Sequence, residues 1–280
     1  MTAVMDYQAK RGRPELQPPG LFEAAFLVVR RNLIHTRRMP EMLLDVTIQP
    51  VMFVMLFAYV FGGSIAVEGS NYREFLVPGI MAQTIAFSSF IVAIGLTSDL
   101  DKGIVDRLKS LPIHRASLLV GRSIAALLHS SIGIGVMALT GLVVGWRVRG
   151  SVLDAVLAFG LLLLFGFAMI WAGILVGSVM RSLEAVQGFM FTAIFPLTFL
   201  ANTFAPTENM PKYLRIFAEW NPISSLVQAI RELWGNIPPA PADAAWPLQH
   251  PILMTVVWCV AMTAVFAPLA LRAFWMRARD

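Results

Sequence analysis

Charged residues are scarce in this chain of 280 residues: Asp, Glu, Lys and Arg together make up 14% of it, whereas 57% is hydrophobic. Soluble proteins carry roughly 25% charged residues, so a water-soluble fold could not bury this much apolar surface. The apolar residues come in runs of about twenty, the length that crosses a hydrocarbon core about 30 Å thick. The composition therefore predicts an all-α integral membrane protein.

Residues that carry chemistry are also scarce. Cys259 is the only cysteine, so the chain cannot form an internal disulfide or a thiolate metal site. The histidines match no metal-ligand spacing, and no Gly-x-Ser-x-Gly motif occurs. The dipeptide Gly-Lys is absent, which excludes a phosphate-binding loop of the Walker type. We therefore expect no enzyme activity, no metal and no cofactor in this chain.

Basic residues outnumber acidic ones, 22 to 17, but they flank the apolar runs and form no patch with interleaved aromatics. This arrangement indicates membrane topology and argues against nucleic-acid binding. Sixteen of the 22 lie before the first run, around the segment 99–115, beside Arg181 or at the C-terminal end. The positive-inside rule then places both termini in the cytoplasm of a plasma-membrane protein.

Three parts follow from the pattern along the chain. Residues 1–20 are predicted to be a disordered cytoplasmic tail, and residues 21–42 an amphipathic helix in the membrane interface or, alternatively, an extension of the first span. Residues 43–280 are predicted to form the transmembrane domain. Its six predicted spans cover residues 43–61, 76–98, 116–144, 152–180, 184–201 and 252–272.

The segment 99–115 is predicted to hold a short helix on the cytoplasmic side. Asp99 is a suitable N-cap, and Pro112 follows the end of the pattern. Ile104, Leu108 and Leu111 form one apolar stripe. Such a helix either lies on the membrane or inserts into a groove of a partner protein.

The segment 202–250 is too polar to span and is predicted to form short helices at the outer leaflet. Asn221 and Pro222 are suited to the N-cap and first positions of a helix, and Gly235 is suited to its stop. That helix, from Pro222 to Trp234, is about 20 Å long and cannot cross the bilayer. A shorter helix is predicted to precede it, from Pro211 to Glu219. The pair either caps the exit of a pathway or anchors the chain in the interface.

Two stretches carry a family resemblance. DKGIVDRLKSLPIHRASLLVGR, from Asp101 to Arg122, resembles the cytoplasmic loop of type-two ATP-binding-cassette (ABC) export permeases. PLTFLANTFAP, from Pro196, and MPKYLRIFAEWNPISSLVQAIR, from Met210, are similar to the stretch that follows span five in that family. Within the family, the chain looks most like the daunorubicin-resistance protein B type and its lipid-exporting relatives, although Ala201-Asn202 departs from their usual Ser/Gly-containing turn.

The resemblance implies a permease subunit that exports lipophilic drugs, lipids or glycans. It implies two copies of a separate ABC ATPase, which bind ATP and Mg, and a second permease chain that is identical or related. The resemblance also implies that the residues in contact with the ATPase are Asp101, Gly103, Ile104, Arg107, Leu108, Leu111 and Pro112. The extracytoplasmic gate is assigned to Phe204, Pro206, Asn221, Pro222 and Arg231.

A lipophilic substrate suits a lining of apolar and aromatic side chains, although such residues in a span also face lipid or pack between helices. The candidate lining residues are Phe53, Tyr59, Gln83, Phe87, Trp171, Phe191 and Phe195. An exporter of cell-envelope lipid or polysaccharide is the alternative within the same class. An ATP-independent channel, scaffold or membrane enzyme is the alternative outside it.

Overall fold

The computed structural model describes residues 41–61, 71–103, 115–207, 210–241 and 244–277, with the backbone alone at 41–47, 61 and 115–118. The predicted tail 1–20 and nearly all of the predicted interfacial helix 21–42 lie outside these residues. Within the described ranges every regular element is a helix and no strand occurs, as the composition predicted.

The helices follow the predicted order. A π-helical turn, Phe57–Phe61, extends the first of them. The α-helices are α1 (Glu41–Leu56), α2 (Tyr72–Asp101), α3 (Arg115–Val144), α4 (Val152–Val179), α5 (Leu183–Phe199), α6 (Lys212–Glu219), α7 (Pro222–Leu233), α8 (Trp246–Gln249) and α9 (Pro251–Arg277). In the described part of the chain, α2, α3, α4 and α9 are long and apolar enough to cross a membrane, and α1 with its π turn and α5 are shorter apolar helices.

Side-chain caps fix where several helices begin. Ser151 and Asp154 form a reciprocal capping box at the start of α4, and the Ser182 hydroxyl accepts a hydrogen bond from the Ala185 amide at the start of α5. Asn71 caps α2 by accepting from the Arg73 amide. These bonds satisfy amides that the first helical turn leaves without partners.

Helix α4 packs along α2 through small residues. A Cβ added at Gly173 would lie 2.2 Å from the Ser89 carbonyl oxygen, and one at Gly177 would lie 2.7 Å from that of Ala93. The Thr97 hydroxyl donates to the Gly177 carbonyl oxygen at 3.1 Å. Close backbone approach at glycine is the usual way that helices associate in lipid, where burying apolar surface drives little association. This contact makes α2 and α4 the centre of the fold.

Other helices complete the packing around this pair. Helix α9 packs along the rest of α4, where Phe274 and Ile174 belong to one buried cluster. A larger buried cluster joins α1, α2, α4 and α7. The opposite face of α9 exposes large apolar side chains, among them Leu253, Val257 and Val260. An exposed apolar face of this kind suits contact with lipid chains.

Candidate substrate pathway and outer gate

Helix α7 forms where local sequence signals predicted it. The Asn221 side-chain oxygen accepts from the Ile223 amide at 2.9 Å, and Pro222 occupies the first helical position. Gly235 follows the helix with a φ of 67°, a conformation that glycine adopts without strain. The Asn221 side chain also donates to the Leu197 carbonyl oxygen at 2.7 Å, so the cap of α7 is tied to the end of α5. The predicted helix, its cap and its stop are confirmed.

Arg231 is the centre of the predicted outer gate and is completely buried. Its guanidinium donates three hydrogen bonds to backbone carbonyl oxygens: Nε to Phe75 at 2.8 Å, Nη1 to Asn202 at 2.9 Å and Nη2 to Thr203 at 3.0 Å. The same group lies 3.4 Å from the centre of the Phe75 ring. We call this arrangement the carbonyl site. It joins α7, the first turn of α2 and the turn after α5.

Arg231 is held without an ion pair, since none of the salt bridges among the described residues includes it. Burial therefore lowers the pKa of its guanidinium well below the ordinary value. Three carbonyl dipoles and the negative face of an aromatic ring replace the lost water. A buried polar group satisfied in this way fixes the positions of its partners, because releasing any of them leaves a donor without an acceptor.

Close backbone contact reinforces the carbonyl site. A Cβ at Gly79 would lie 2.3 Å from the Thr203 carbonyl oxygen, so only glycine lets α2 approach the turn this closely. The Tyr72 hydroxyl donates to the Phe204 carbonyl oxygen at 3.3 Å, and the Asn202 amide donates to the Ser224 hydroxyl at 3.0 Å. The turn 200–205 is therefore held from both α2 and α7.

Six phenylalanine rings form a continuous stack beside this turn, which we call the aromatic ladder. Along α5, Phe191, Phe195 and Phe199 stack in sequence, with centroids 4.9 and 4.1 Å apart. Phe199 continues to Phe204 at 5.0 Å. From there the rings cross to the first helix: Phe204 lies 4.8 Å from Phe57, and Phe57 lies 5.8 Å from Phe53.

The ladder is exposed at one end and most buried near its middle. Phe191 and Phe195 are exposed on the flank of α5, Phe204 in the turn is 9% exposed, and Phe57 and Phe53 are half-buried. Phe57 begins the π-helical turn, a distortion that often occurs at functional sites. Offset aromatic rings at these spacings offer apolar faces on which planar or lipophilic molecules can stack. The ladder thus connects the outside of the helix bundle to the carbonyl site.

The ladder includes four residues selected from the sequence, namely Phe53, Phe191, Phe195 and Phe204, and two that were missed. Phe57 and Phe199 were missed, although the four-residue spacing of Phe191, Phe195 and Phe199 is visible in the sequence. Phe57 carries no such signal, because its partner Phe204 is brought to it by folding.

The other candidate lining residues lie elsewhere. Gln83 is buried within α2, Phe87 is half-buried against the main cluster, and Trp171 is buried between α2, α4 and α9. Tyr59 is exposed, and the Arg73 guanidinium lies 5.2 Å from the centre of its ring. None of these four residues takes part in the ring contacts of the ladder.

The predicted coupling segment is only partly described. Ile104, Arg107, Leu108, Leu111 and Pro112 lie outside the described residues. The prediction that Asp99 is the N-cap of a new helix is wrong, because α2 continues through Asp99 to Asp101. Lys102 is the C-cap, and Gly103 follows with a φ of 64°. Two carboxylates in the last turn of a helix oppose its dipole, and arginines of two other helices bind them here.

Comparison with known proteins gives a consistent result over most of the chain. Residues 23–233 match the protein family described as ABC-2 type transporter. The chain is 29% identical over 246 residues to the daunorubicin resistance ABC transporter permease protein DrrB1 of Streptomyces coeruleorubidus, covering 87% of this chain and 83% of that protein.

Two further relatives are more distant. The probable doxorubicin resistance ABC transporter permease protein DrrC of Mycobacterium tuberculosis is 25% identical over 269 residues, covering 92% of this chain and 94% of that protein. The putative transport permease ycf38 of Cyanophora paradoxa is 26% identical over 215 residues, covering 75% of this chain and 74% of that protein.

Proposed function

The chain belongs to the ABC-2 type transporter family and is a membrane permease subunit of an exporter, and from this premise we propose that it exports planar, lipophilic drug-like molecules along the aromatic ladder. The continuous stack of six rings is the observation that carries the proposal. Aromatic faces bind flat apolar molecules of varied outline, because stacking requires area and not a fixed pattern of polar groups. Two relatives are named for resistance to daunorubicin and doxorubicin, which supports this substrate class.

The energy source is a separate ABC ATPase. This chain contains no phosphate-binding loop, so ATP and Mg are bound by the partner, of which we propose two copies. A second permease chain, identical or related, completes the pathway. The exposed rings of Phe191 and Phe195 suit either this second chain or membrane lipid as their neighbour.

Six spans remain our proposal for the topology. Helix α5 and the first helix with its π turn are shorter than the other spans. We count them as spans because their sides expose apolar residues such as Met52, Val60 and Phe189. The charge distribution in the sequence supports cytoplasmic termini. In a Cys259→Ala background, cysteines placed at Ser70 and Asp243 should react with an impermeant thiol reagent in intact cells, and one at Ser182 should not. The opposite labelling pattern would invert the topology.

Helix α6 fits the surface of the outer leaflet, because its polarity is inverted. Glu219 is buried against the protein, while Tyr213, Phe217 and Trp220 are exposed. A helix that turns its apolar face outward is stable only where the surroundings are apolar or interfacial. An NBD fluorophore on a cysteine at Tyr213 should be quenched by spin-labelled lipid; the lack of quenching would exclude lipid contact.

The function is tested by transport in proteoliposomes that contain the permease with its ATPase. Phe199→Ala interrupts the ladder between Phe195 and Phe204, and we expect ATP-dependent daunorubicin uptake to fall at least fivefold. Phe189→Ala is the matched control, because Phe189 lies on the same helix outside the ladder. Its uptake should stay within twofold of wild type. Equal uptake by the two variants would exclude the ladder as the pathway.

A further inference from the structure

The last turn of α2 holds an arrangement that neither the substrate pathway nor the outer gate uses. Asp99 and Asp101 both lie in this turn, and the helix has no basic residue there to offset its dipole. The compensation comes from Arg122 of α3 and Arg277 of α9. We call these four residues the Asp–Arg cluster. It lies where the chain leaves α2 for the segment 104–114.

The first pair joins α2 to α3. Nη1 of Arg122 lies 2.5 Å from Oδ2 of Asp99, and both side chains are partly exposed, at 19% and 26%. Gly95, one turn before Asp99, makes room for the guanidinium: a Cβ there would lie 2.6 Å from Nη2 of Arg122. Because α3 begins directly after the segment 104–114, this pair ties together the two helices that flank it.

The second pair joins α2 to α4 and α9. Nη2 of Arg277 donates to Oδ1 of Asp101 at 3.2 Å, and Nη1 donates to the Gly177 carbonyl oxygen at 3.1 Å and to that of Met180. Gly177 and Met180 lie at the C-terminal end of α4, where carbonyl oxygens lack helical partners. A single guanidinium therefore connects the ends of three helices.

We propose that the Asp–Arg cluster transmits motion of the ATPase-docking segment 104–114 to the membrane helices, with Asp99, Asp101, Arg122 and Arg277 as positioning residues. This inference rests on the proposed function. A displacement of the segment acts on the end of α2, and the two pairs pass it to α3 and to the α4–α9 pair. Partly exposed ion pairs contribute little to folding, so they can be removed without unfolding the chain.

The test measures daunorubicin uptake and ATP hydrolysis in the same proteoliposomes of permease and ATPase. The double variant Asp99→Asn, Asp101→Asn should transport at least fivefold less drug per ATP, while its ATPase content and thermal unfolding midpoint match wild type. Asp154→Asn, which removes an acidic residue near the opposite end of α4, should keep the wild-type ratio. A ratio within twofold of wild type in the double variant would overturn the proposal.

Exchanging the charges of Asp99 and Arg122 distinguishes a requirement for the ion pair from a requirement for an acidic residue on α2. Asp99→Arg combined with Arg122→Asp should recover at least half of the wild-type ratio, whereas Asp99→Arg alone should not. No recovery in the exchanged pair would contradict a positioning role. If the double Asn variant does not accumulate, Asp101→Asn alone, which keeps the Asp99–Arg122 pair, must still lower the ratio more than twofold.

A second readout separates this inference from the choice of substrate. In a Cys259→Ala background, maleimide labelling of Ala205→Cys beside the carbonyl site should change when ATP and vanadate are added to the complex. If that change in labelling occurs without daunorubicin uptake, the assignment of the substrate is wrong. The Asp–Arg cluster is then tested by the labelling of the double variant Asp99→Asn, Asp101→Asn, which should no longer change with ATP and vanadate. A double variant that keeps the labelling change would overturn the cluster's role.

Discussion

The two ends of α2 are held by arginines in opposite ways. At its first turn, Arg231 is completely buried and donates to three backbone carbonyl oxygens. At its last turn, Arg122 and Arg277 form ion pairs with partly exposed carboxylates. Releasing the buried guanidinium exposes unsatisfied groups to an apolar interior, whereas the pairs at the other end can exchange their partners for water. The first arrangement suits a fixed joint, and the second suits a contact that changes during a transport cycle.

The largest effect is expected at the carbonyl site. Arg231→Met leaves three buried carbonyl oxygens without this donor, and each unsatisfied group costs about 1–3 kcal/mol. We expect the free energy of unfolding to fall by at least about 3 kcal/mol, with poor accumulation in the membrane. Thermal unfolding of the purified chain in detergent measures the loss.

Arg231→Lys is the matched control for charge. It keeps a cation but cannot reach three carbonyl oxygens with fixed geometry, so its loss should be intermediate. Wild-type stability in the methionine variant would show that the carbonyl site does not hold α2, and the contrast between the two ends of the helix would disappear.

A smaller effect is expected from the close contact beside that site. Gly79→Ala places a methyl group 2.3 Å from the Thr203 carbonyl oxygen, so α2 must shift from the turn at a cost of about 1–3 kcal/mol. Gly160→Ala is the control, because no atom lies within 4 Å of a Cβ at that position. Only the first variant should lower the unfolding midpoint. Equal midpoints would mean that the turn does not pack tightly on α2.

The smallest effect on stability is expected at the last turn of α2. Asp99→Asn removes one partly exposed ion pair, and such pairs contribute about 1 kcal/mol or less. The unfolding midpoint should therefore stay close to wild type even where coupling is lost. A fall as large as that of Arg231→Met would show that both ends are structural joints.

Local signals in the sequence predicted much of the architecture. Asn221, Pro222 and Gly235 defined α7 because capping and turn preferences act over a few residues. The long apolar runs likewise located the spans of α2, α3, α4 and α9 to within a few residues.

Contacts between distant segments were beyond local reasoning. Arg231 was selected for its place in a motif, but its role depends on carbonyl oxygens 156 and 29 residues away in the chain. Backbone acceptors leave no mark in the sequence, and neither does the meeting of Phe57 with Phe204. Asp99 was misassigned for the same reason, since Arg122, the arginine that binds it at the end of α2, comes from α3.

We propose that this permease works only when a separate ATPase drives it. The most direct measurement compares daunorubicin uptake and ATP hydrolysis in proteoliposomes that contain the purified chain alone with those that contain the chain and its co-purified ATPase. We predict no hydrolysis and no uptake by the chain alone, and uptake with the partner that stops when vanadate is added. ATP hydrolysis that co-migrates with this chain, or uptake that persists without ATP, would contradict the account.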